Sequence, residues 1–325
     1  MKRLLTTMIL AAVSALLVHP AQAQEKIVLP ANYQVDTRID NMGYWRRCAE
    51  LGLVPVEPYH KVPPAQYSGT LVIADGILVD DSPDVPVTTE TSTQSENSTV
   101  VNPNDKMHVL NSNNSTPVPA GSIYGANFFH SLDGGETWEG QLQGAGGPNS
   151  GDPAACINLT GRYYIGFIDN ASGQSVAFSD DQGATWTTSK VANAPSGFGN
   201  LLDKNHLWVD RGPTSDYKGH VYDSWTTFGG SNDSQIGISV STDNGVNWSS
   251  PQHISSGVNA GSHNQGVNIK CGPEGQVYVA WAIYDSWPSD EKAIGFAKSD
   301  DGGVTFQPAY RIINNIKGIR TSEVT

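Results

Sequence analysis

Four stretches of the chain share one order of apolar and polar positions. A short, largely apolar run comes first, at residues 98–101, 154–157, 206–209 and 266–269. A second run follows at 106–110, 162–168, 220–225 and 276–281, and a third at 126–130, 174–178, 235–240 and 293–297. Runs of four to eight residues rich in Val, Ile, Phe, Tyr and Trp, separated by Gly, Asn, Asp and Ser, predict β-strands joined by tight turns. A fourth strand is predicted after each, as at residues 248–254. Four strands recurring about every fifty residues predict a β-propeller, one four-stranded blade per unit. The units span approximately 96–143, 150–195, 203–256 and 262–314.

Between the third and fourth strands of each unit lies one octapeptide: SLDGGETW at 131–138, SDDQGATW at 179–186, STDNGVNW at 241–248 and SDDGGVTF at 299–306. Each reads Ser-x-Asp-x-Gly-x-(Thr/Asn)-(Trp/Phe). The residue types describe a hairpin turn. The carboxylates of Asp133, Asp181, Asp243 and Asp301 can accept hydrogen bonds from turn amides, and the shared Gly permits a positive φ. The Ser and Thr hydroxyls are expected to tie the strands together, with the aromatic packing into the core beside the turn. These four aspartates are therefore read as structural.

Composition agrees. With 34 Gly, 8 Trp, 12 Tyr, 8 Phe and only 16% charged residues in 325, the chain is unlike a coiled coil or a charge-rich disordered protein. A formal net charge of -13 argues against a nucleic-acid binder. Residues 1–23 carry Lys2 and Arg3, an apolar run at 4–18 and Ala21-Gln22-Ala23 before Gln24. That is the layout of a cleaved secretory signal, so the protein is expected to be secreted or held at the cell surface, with no membrane span after cleavage. Export would permit one disulfide among Cys48, Cys156 and Cys271, although burial as small apolar residues fits Cys156 and Cys271 better.

Residues 24–95 fall outside the repeat. Residues 42–53 predict a short helix ending near Gly52, and residues 70–79 a hairpin about Asp75-Gly76. Residues 80–97 read as an exposed acidic linker.

The octapeptides resemble the Asp-box, or bacterial neuraminidase repeat, of the sialidase superfamily. The resemblance covers residues 96–314. It implies an all-β propeller of the sialidase type; with four recognisable blades, the ring is expected to be incomplete. It also implies a secreted, exo-sialidase-like glycosidase of bacterial type, acting on sialic acid or related glycans. The alternative is a non-catalytic propeller that binds glycans or glycoproteins at the cell surface. The family's chemistry uses a Tyr nucleophile assisted by a Glu, an Asp acid/base and three arginines on the substrate carboxylate. The first of these arginines usually sits in a Phe/Tyr-Arg-Ile-Pro motif. The nearest matches, Thr37-Arg38-Ile39-Asp40 and Tyr310-Arg311-Ile312, both lack the Pro.

No catalytic residue can be carried over. Arg38 remains a substrate-binding candidate, as do Arg211 and Tyr217 from the polar stretch 206–222, which resembles a segment of secreted bacterial Asp-box proteins. In and just after that stretch, Asp210, Asp216 and Asp223 offer oxygens of the kind Ca²⁺ takes, but no spacing matches an EF-hand. No metal site or cofactor is expected. The oligomeric state is open.

Overall fold

The structure is a computed structural model that describes residues 29–30, 32–39, 41–55, 72–74, 77–79, 85–90, 93–116, 125–258, 261–287 and 291–316. The signal-like residues 1–23 lie outside these. The chain divides into two units, residues 1–34 and 35–325. In the first, the Tyr33 amide donates to the Pro30 carbonyl at 3.0 Å, closing a turn. All that follows concerns the second.

The one α-helix among its described residues, α1 (Met42–Glu50), is capped by Asn41, whose side chain accepts from the Tyr44 amide at 3.0 Å. Strands β1 (Val72–Ala74) and β2 (Ile77–Val79) pair as a hairpin. Four antiparallel sheets follow, each a meander. The first holds β3 (Thr93–Asn102), β4 (Asp105–Thr116), β5 (Gly125–Ala126), β6 (Phe128–Ser131) and β7 (Glu139–Gln141). The second is β8 (Ala154–Ile157), β9 (Tyr163–Ile168), β10 (Gln174–Ser179) and β11 (Thr187–Ala192). The third is β12 (Leu201–Val209), β13 (Val221–Phe228), β14 (Ile236–Ser241) and β15 (Gln252–His253). The fourth is β16 (His263–Cys271), β17 (Val277–Tyr284), β18 (Ala293–Ser299) and β19 (Tyr310–Asn314).

Two boundaries differ from the sequence reading. Strand β3 begins at Thr93, inside the segment read as linker. Strand β4 continues through the polar run 111–116, where Asn111, Ser112, Asn113, Asn114 and Ser115 are buried. Polarity did not make this run a loop because its side chains bond one another and their neighbours. Asn127 Nδ2 donates to Ser115 Oγ at 2.5 Å, and the Asn113 amide donates to Asn127 Oδ1 at 2.9 Å.

The opening strands stand side by side, β3 next to β8, β8 next to β12 and β12 next to β16. The cores fill the seams between sheets rather than the sheets themselves. Leu110, Phe128, Ile157 and Ile165 close the first seam, Tyr164, Phe178, Leu207 and Trp225 the second, and Tyr222, Ile238, Ile269 and Trp281 the third. Strands β9 and β13 of the inner sheets, covered on both faces, are buried at every position, whereas β17 and β18 alternate between buried and half-buried positions. Helix α1 rests Tyr44 and Cys48 on Ile168, Leu201 and Phe228.

The octapeptides hold these seams. Within each turn the aspartate accepts two hydrogen bonds from one residue. At Asp243 they are the Asn247 amide at 2.8 Å and Asn247 Nδ2 at 2.7 Å. Ser241 Oγ donates to the same carboxylate at 2.8 Å and accepts from the Gly245 amide at 2.8 Å. The Ser and Thr hydroxyls thus bind the carboxylate instead of bridging strands. These hydrogen bonds, those from Thr137 and Thr185 foremost, pull Asp133 and Asp181 down to about 2. The closing aromatic reaches backwards, onto the preceding sheet. Trp186 packs on Phe128 with ring centroids 5.0 Å apart, and Trp248 Nε1 donates to Ser189 Oγ at 3.0 Å. No helix among the described residues is long and apolar enough to cross a membrane.

Candidate active site

The register separates two ends of the sheets. In the third sheet Val209 pairs with Val221 and Val221 with Ser241, so the octapeptide lies beyond the C-terminal end of β12. Cys271, Val277 and Ser299 repeat this in the fourth sheet, and Ile157, Tyr163 and Ser179 in the second. The structural aspartates therefore share one end. The opposite end, where β3, β8, β12 and β16 begin, carries different chemistry.

There each opening strand, or in the second sheet the segment two residues before it, passes through a left-handed conformation at one equivalent place. The residues are Glu96 (φ 56°), Asp152 (φ 58°), Lys204 (φ 51°) and Gly266 (φ 74°). In β3, β12 and β16 this coincides with a shift of register, a bulge that turns side chains out of the ladder. Three of the four are charged residues in a conformation that L-amino acids avoid, at a cost of about 1–2 kcal/mol each. Strain of this kind gathers at functional sites.

The bulges bring their side chains together. The Lys204 ammonium pairs with Glu96 Oε1, while Asn114 Nδ2 donates to Glu96 Oε2 at 2.6 Å. Asn114 Oδ1 accepts from the Asp152 amide at 2.9 Å, and the Lys204 amide donates to Asp152 Oδ2 at 3.0 Å. Asp152 also lies within electrostatic reach of the Asp203 and Glu96 carboxyls. Like carboxyls buried this close together do not all ionise at once, so one tends to keep its proton. Burial is the main cause that raises Asp152, to about 7, and the Asp203 charge adds to it. Glu96 is raised to about 7 as well, by burial first and then by Asp152, against the pull of Lys204. Asp152 is buried, whereas the Glu96 side chain keeps 31% of its surface open to solvent. Asp223 stands close by on β13, fully buried, contacted by Asn205 Nδ2 at 3.5 Å and pushed well above the carboxylate range by burial. The result is a chain of carboxyls that holds a proton near neutrality, with one member facing solvent. Such a group can donate a proton to a leaving oxygen.

The substrate-binding candidates from sequence do not converge. Arg38 lies towards the start of β12: its guanidinium sits 5.3 Å from the Phe228 ring centroid, and Phe228 pairs with Leu201. Its donors are committed to Asp36 at 2.6 Å, Asp233 at 2.7 Å and Ser234 at 2.6 Å. The Asp36 hydrogen bond, ahead of the others, holds its pKa above the usual arginine value. Arg211 follows the other end of β12. It stacks 4.6 Å from the Trp208 centroid, and Nη1 approaches the Ile157 carbonyl at 3.4 Å. The Lys270 ammonium lies 3.4 Å from the same ring. Tyr217 is at that end too, 5.5 Å from the His220 ring and against Gly302. The eight residue steps from Leu201 to Val209 put about 26 Å between the two ends, so Arg38 and Arg211 cannot grip one carboxylate. Arg162 and Arg311 are paired to Asp180 and Asp285, and Arg320 lies outside the described residues.

The Ca²⁺ candidates are also dispersed. Asp210 accepts from the Gly212 amide at 2.7 Å and from Ser215 Oγ at 2.5 Å, which closes a turn; Asp216 is exposed; Asp223 is inside the third sheet. Among the described residues no group of His, Cys, Asp or Glu side chains is arranged to hold a metal ion. The three cysteines are free thiols.

Glu96, Asp152, Asp203 and Lys204 escaped the sequence reading, and Asp223 entered it only as a Ca²⁺ candidate. A signal existed, because aligning the four opening strands places Glu96, Asp152 and Lys204 at one position. The shared octapeptide drew the alignment to the other end of the sheets.

No family profile and no curated sequence matches the chain. Solved structures do match in shape. One is an α-L-arabinofuranosidase from Fusarium graminearum bound to an iminosugar inhibitor, at 14% identity over 71% of this chain and 70% of that one, with TM-score 0.51. A second is the α-L-arabinofuranosidase of the same organism with arabinobiose, at 13% identity over 67% and 66%, with TM-score 0.50. An intramolecular trans-sialidase from Ruminococcus gnavus, at 12% identity over 70% and 71%, is looser still at 0.46. The likeness is one of fold. The chain is an all-β protein of four-stranded antiparallel sheets, arranged as in propeller glycosidases.

Proposed function

We propose that this protein is a glycoside hydrolase whose general acid is Glu96. The observation that carries this reading is the cluster of coupled carboxyls Glu96, Asp152 and Asp203 where the inner strands begin, with the Glu96 side chain reaching solvent. In this reading Glu96 delivers a proton to the glycosidic oxygen as its bond to the sugar carbon breaks. Asp152, buried behind it, is a positioning residue that keeps the Glu96 pKa high. The fold shared with arabinose-acting enzymes supports a carbohydrate substrate.

The local charge favours a neutral glycoside, such as an α-L-arabinofuranoside, over a sialoside. The Lys204 ammonium at the cluster is already bonded to Glu96, so an anionic sugar would lose its hydration there without gaining a counter-charge. A sialoside-cleaving enzyme, the reading that the octapeptides suggest, would need cations that Arg38 and Arg211 do not bring together. The signal-like N-terminus supports action outside the cell.

The test is hydrolysis of 4-nitrophenyl α-L-arabinofuranoside, linear arabinan and a fluorogenic sialoside by the purified chain. Turnover of a neutral glycoside is expected, with Glu96→Gln lowering kcat about 10²–10⁴-fold and Asp152→Asn moving the basic limb of the pH profile. Sialoside turnover alone would overturn the neutral preference. No turnover of any glycoside by folded protein would leave a binding propeller, and full activity in Glu96→Gln would remove Glu96 from the chemistry.

A further inference from the structure

A cavity of about 280 Å³ lies in the seam between the second and third sheets, and it shares no residue with the carboxyl chain. It runs from Leu202 on the innermost strand of the third sheet to His253 on the outermost, under the turn that carries Gly229 and Gly230. Pro195 and Pro251 form apolar wall. Three side chains lining it have a buried polar atom with no partner in the protein: Trp225 Nε1, Thr227 Oγ1 and His253 Nδ1. Trp225 is 1% exposed and Thr227 2%. Leaving a buried polar group unmet destabilises a fold, so three such groups among the residues lining one space favour an occupant that bonds them.

We propose that this cavity is a binding site for a neutral, hydroxylated small molecule the size of one sugar unit. The size follows from the volume, which falls just under the range of about 300–1,000 Å³ common for ligand pockets. The neutrality follows from the lining, which contains no Asp, Glu, Lys or Arg. Burial lowers the His253 pKa, so the ring is uncharged at neutral pH. A charged ligand would lose its hydration without gaining a counter-charge. The hydroxyl character follows from the donors and acceptors. The Trp225 N–H can only donate and needs an acceptor oxygen; Thr227 Oγ1 can both donate and accept; His253 Nδ1 takes whichever role its tautomer allows. A purely apolar occupant would leave all three unmet. A sugar hydroxyl supplies donor and acceptor at once, and the sugar's C–H face suits the proline walls.

The site does not depend on the proposed hydrolase activity. It is tested on the purified full chain by calorimetry and saturation-transfer NMR with D-glucose, D-galactose, D-mannose and D-xylose, and with D-glucuronate as the charged counterpart. At least one neutral sugar is expected to bind with about millimolar affinity or tighter, and D-glucuronate more weakly. Thr227→Val keeps the shape and removes the hydroxyl, so it is expected to weaken binding about fivefold. Ser231→Trp places bulk at the exposed rim without entering the core and is expected to abolish binding. Glu96→Gln is expected to leave it unchanged. The proposal fails if no neutral sugar binds folded protein, if D-glucuronate binds best, or if Thr227→Val and Ser231→Trp both bind as the parent does.

Discussion

The fifth position of each octapeptide offers a controlled comparison. Gly135, Gly183, Gly245 and Gly303 have φ of 100°, 91°, 87° and 87°. Replacing any of them by Ala therefore carries the same backbone cost, about 1–2 kcal/mol for a left-handed L-residue, partly offset by the stiffer unfolded chain. What differs is the space. A Cβ on Gly135 would meet only its own turn's Trp138, at 3.9 Å. On Gly183 it would meet Phe128 of the first sheet at 2.9 Å, and on Gly245 Tyr164 of the second at 3.0 Å. On Gly303 it would meet Val240 and Tyr222 of the third at 2.7 and 2.9 Å. Forcing an extra carbon into such contacts costs about 1–3 kcal/mol more. Gly135→Ala should thus cost about 1 kcal/mol, and Gly303→Ala about 2–4 kcal/mol, with the other two between. Urea unfolding of the four variants measures this, with the m-value checked for constancy. Equal losses at all four positions, or a loss at Gly135 as large as at Gly303, would refute the claim that each turn is packed against the sheet before it.

Two further outcomes follow from the buried groups. Asp152 has its pKa raised from 3.8 to about 7, so the folded state binds more protons than the unfolded one between those values. Its contribution is fully present below about pH 4 and is lost as pH rises to about 7, by at most about 4 kcal/mol. Asp223 acts in the same direction. Asp152→Asn should flatten the slope of stability against pH across that window in thermal melts, and an unchanged slope would contradict the raised value. Burial pushes the Cys156 and Cys271 thiols above their ordinary range. The native protein should therefore react slowly with a thiol reagent and show the same intact mass before and after reduction; rapid labelling, or a shift of mass on reduction, would contradict free thiols of which two are buried and one is half-buried.

Glu96, Asp152 and Lys204 mark the limit of reading along the chain. The octapeptide could be understood from residue types alone because its hydrogen bonds close within five residues: Asp243 meets Asn247, and Ser241 meets Gly245. The strands could be read for the same reason, since period and composition are local. The polar run 111–116 misled because its partners, among them Gln94 and Asn127, are supplied by other strands. The arginine expectation misled in a different way. It matched residue types to a chemistry, but register puts Arg38 and Arg211 at opposite ends of one strand.

Local chemistry along the chain was enough to specify four antiparallel units and the turns that end them. Only the tertiary structure decided which end of those units gathers the buried carboxyls. Glu96 meets Lys204 across 108 positions of chain, and its raised pKa comes from burial beside Asp152. Desolvation and charge proximity are properties of the packed opening strands, and no single strand carries them.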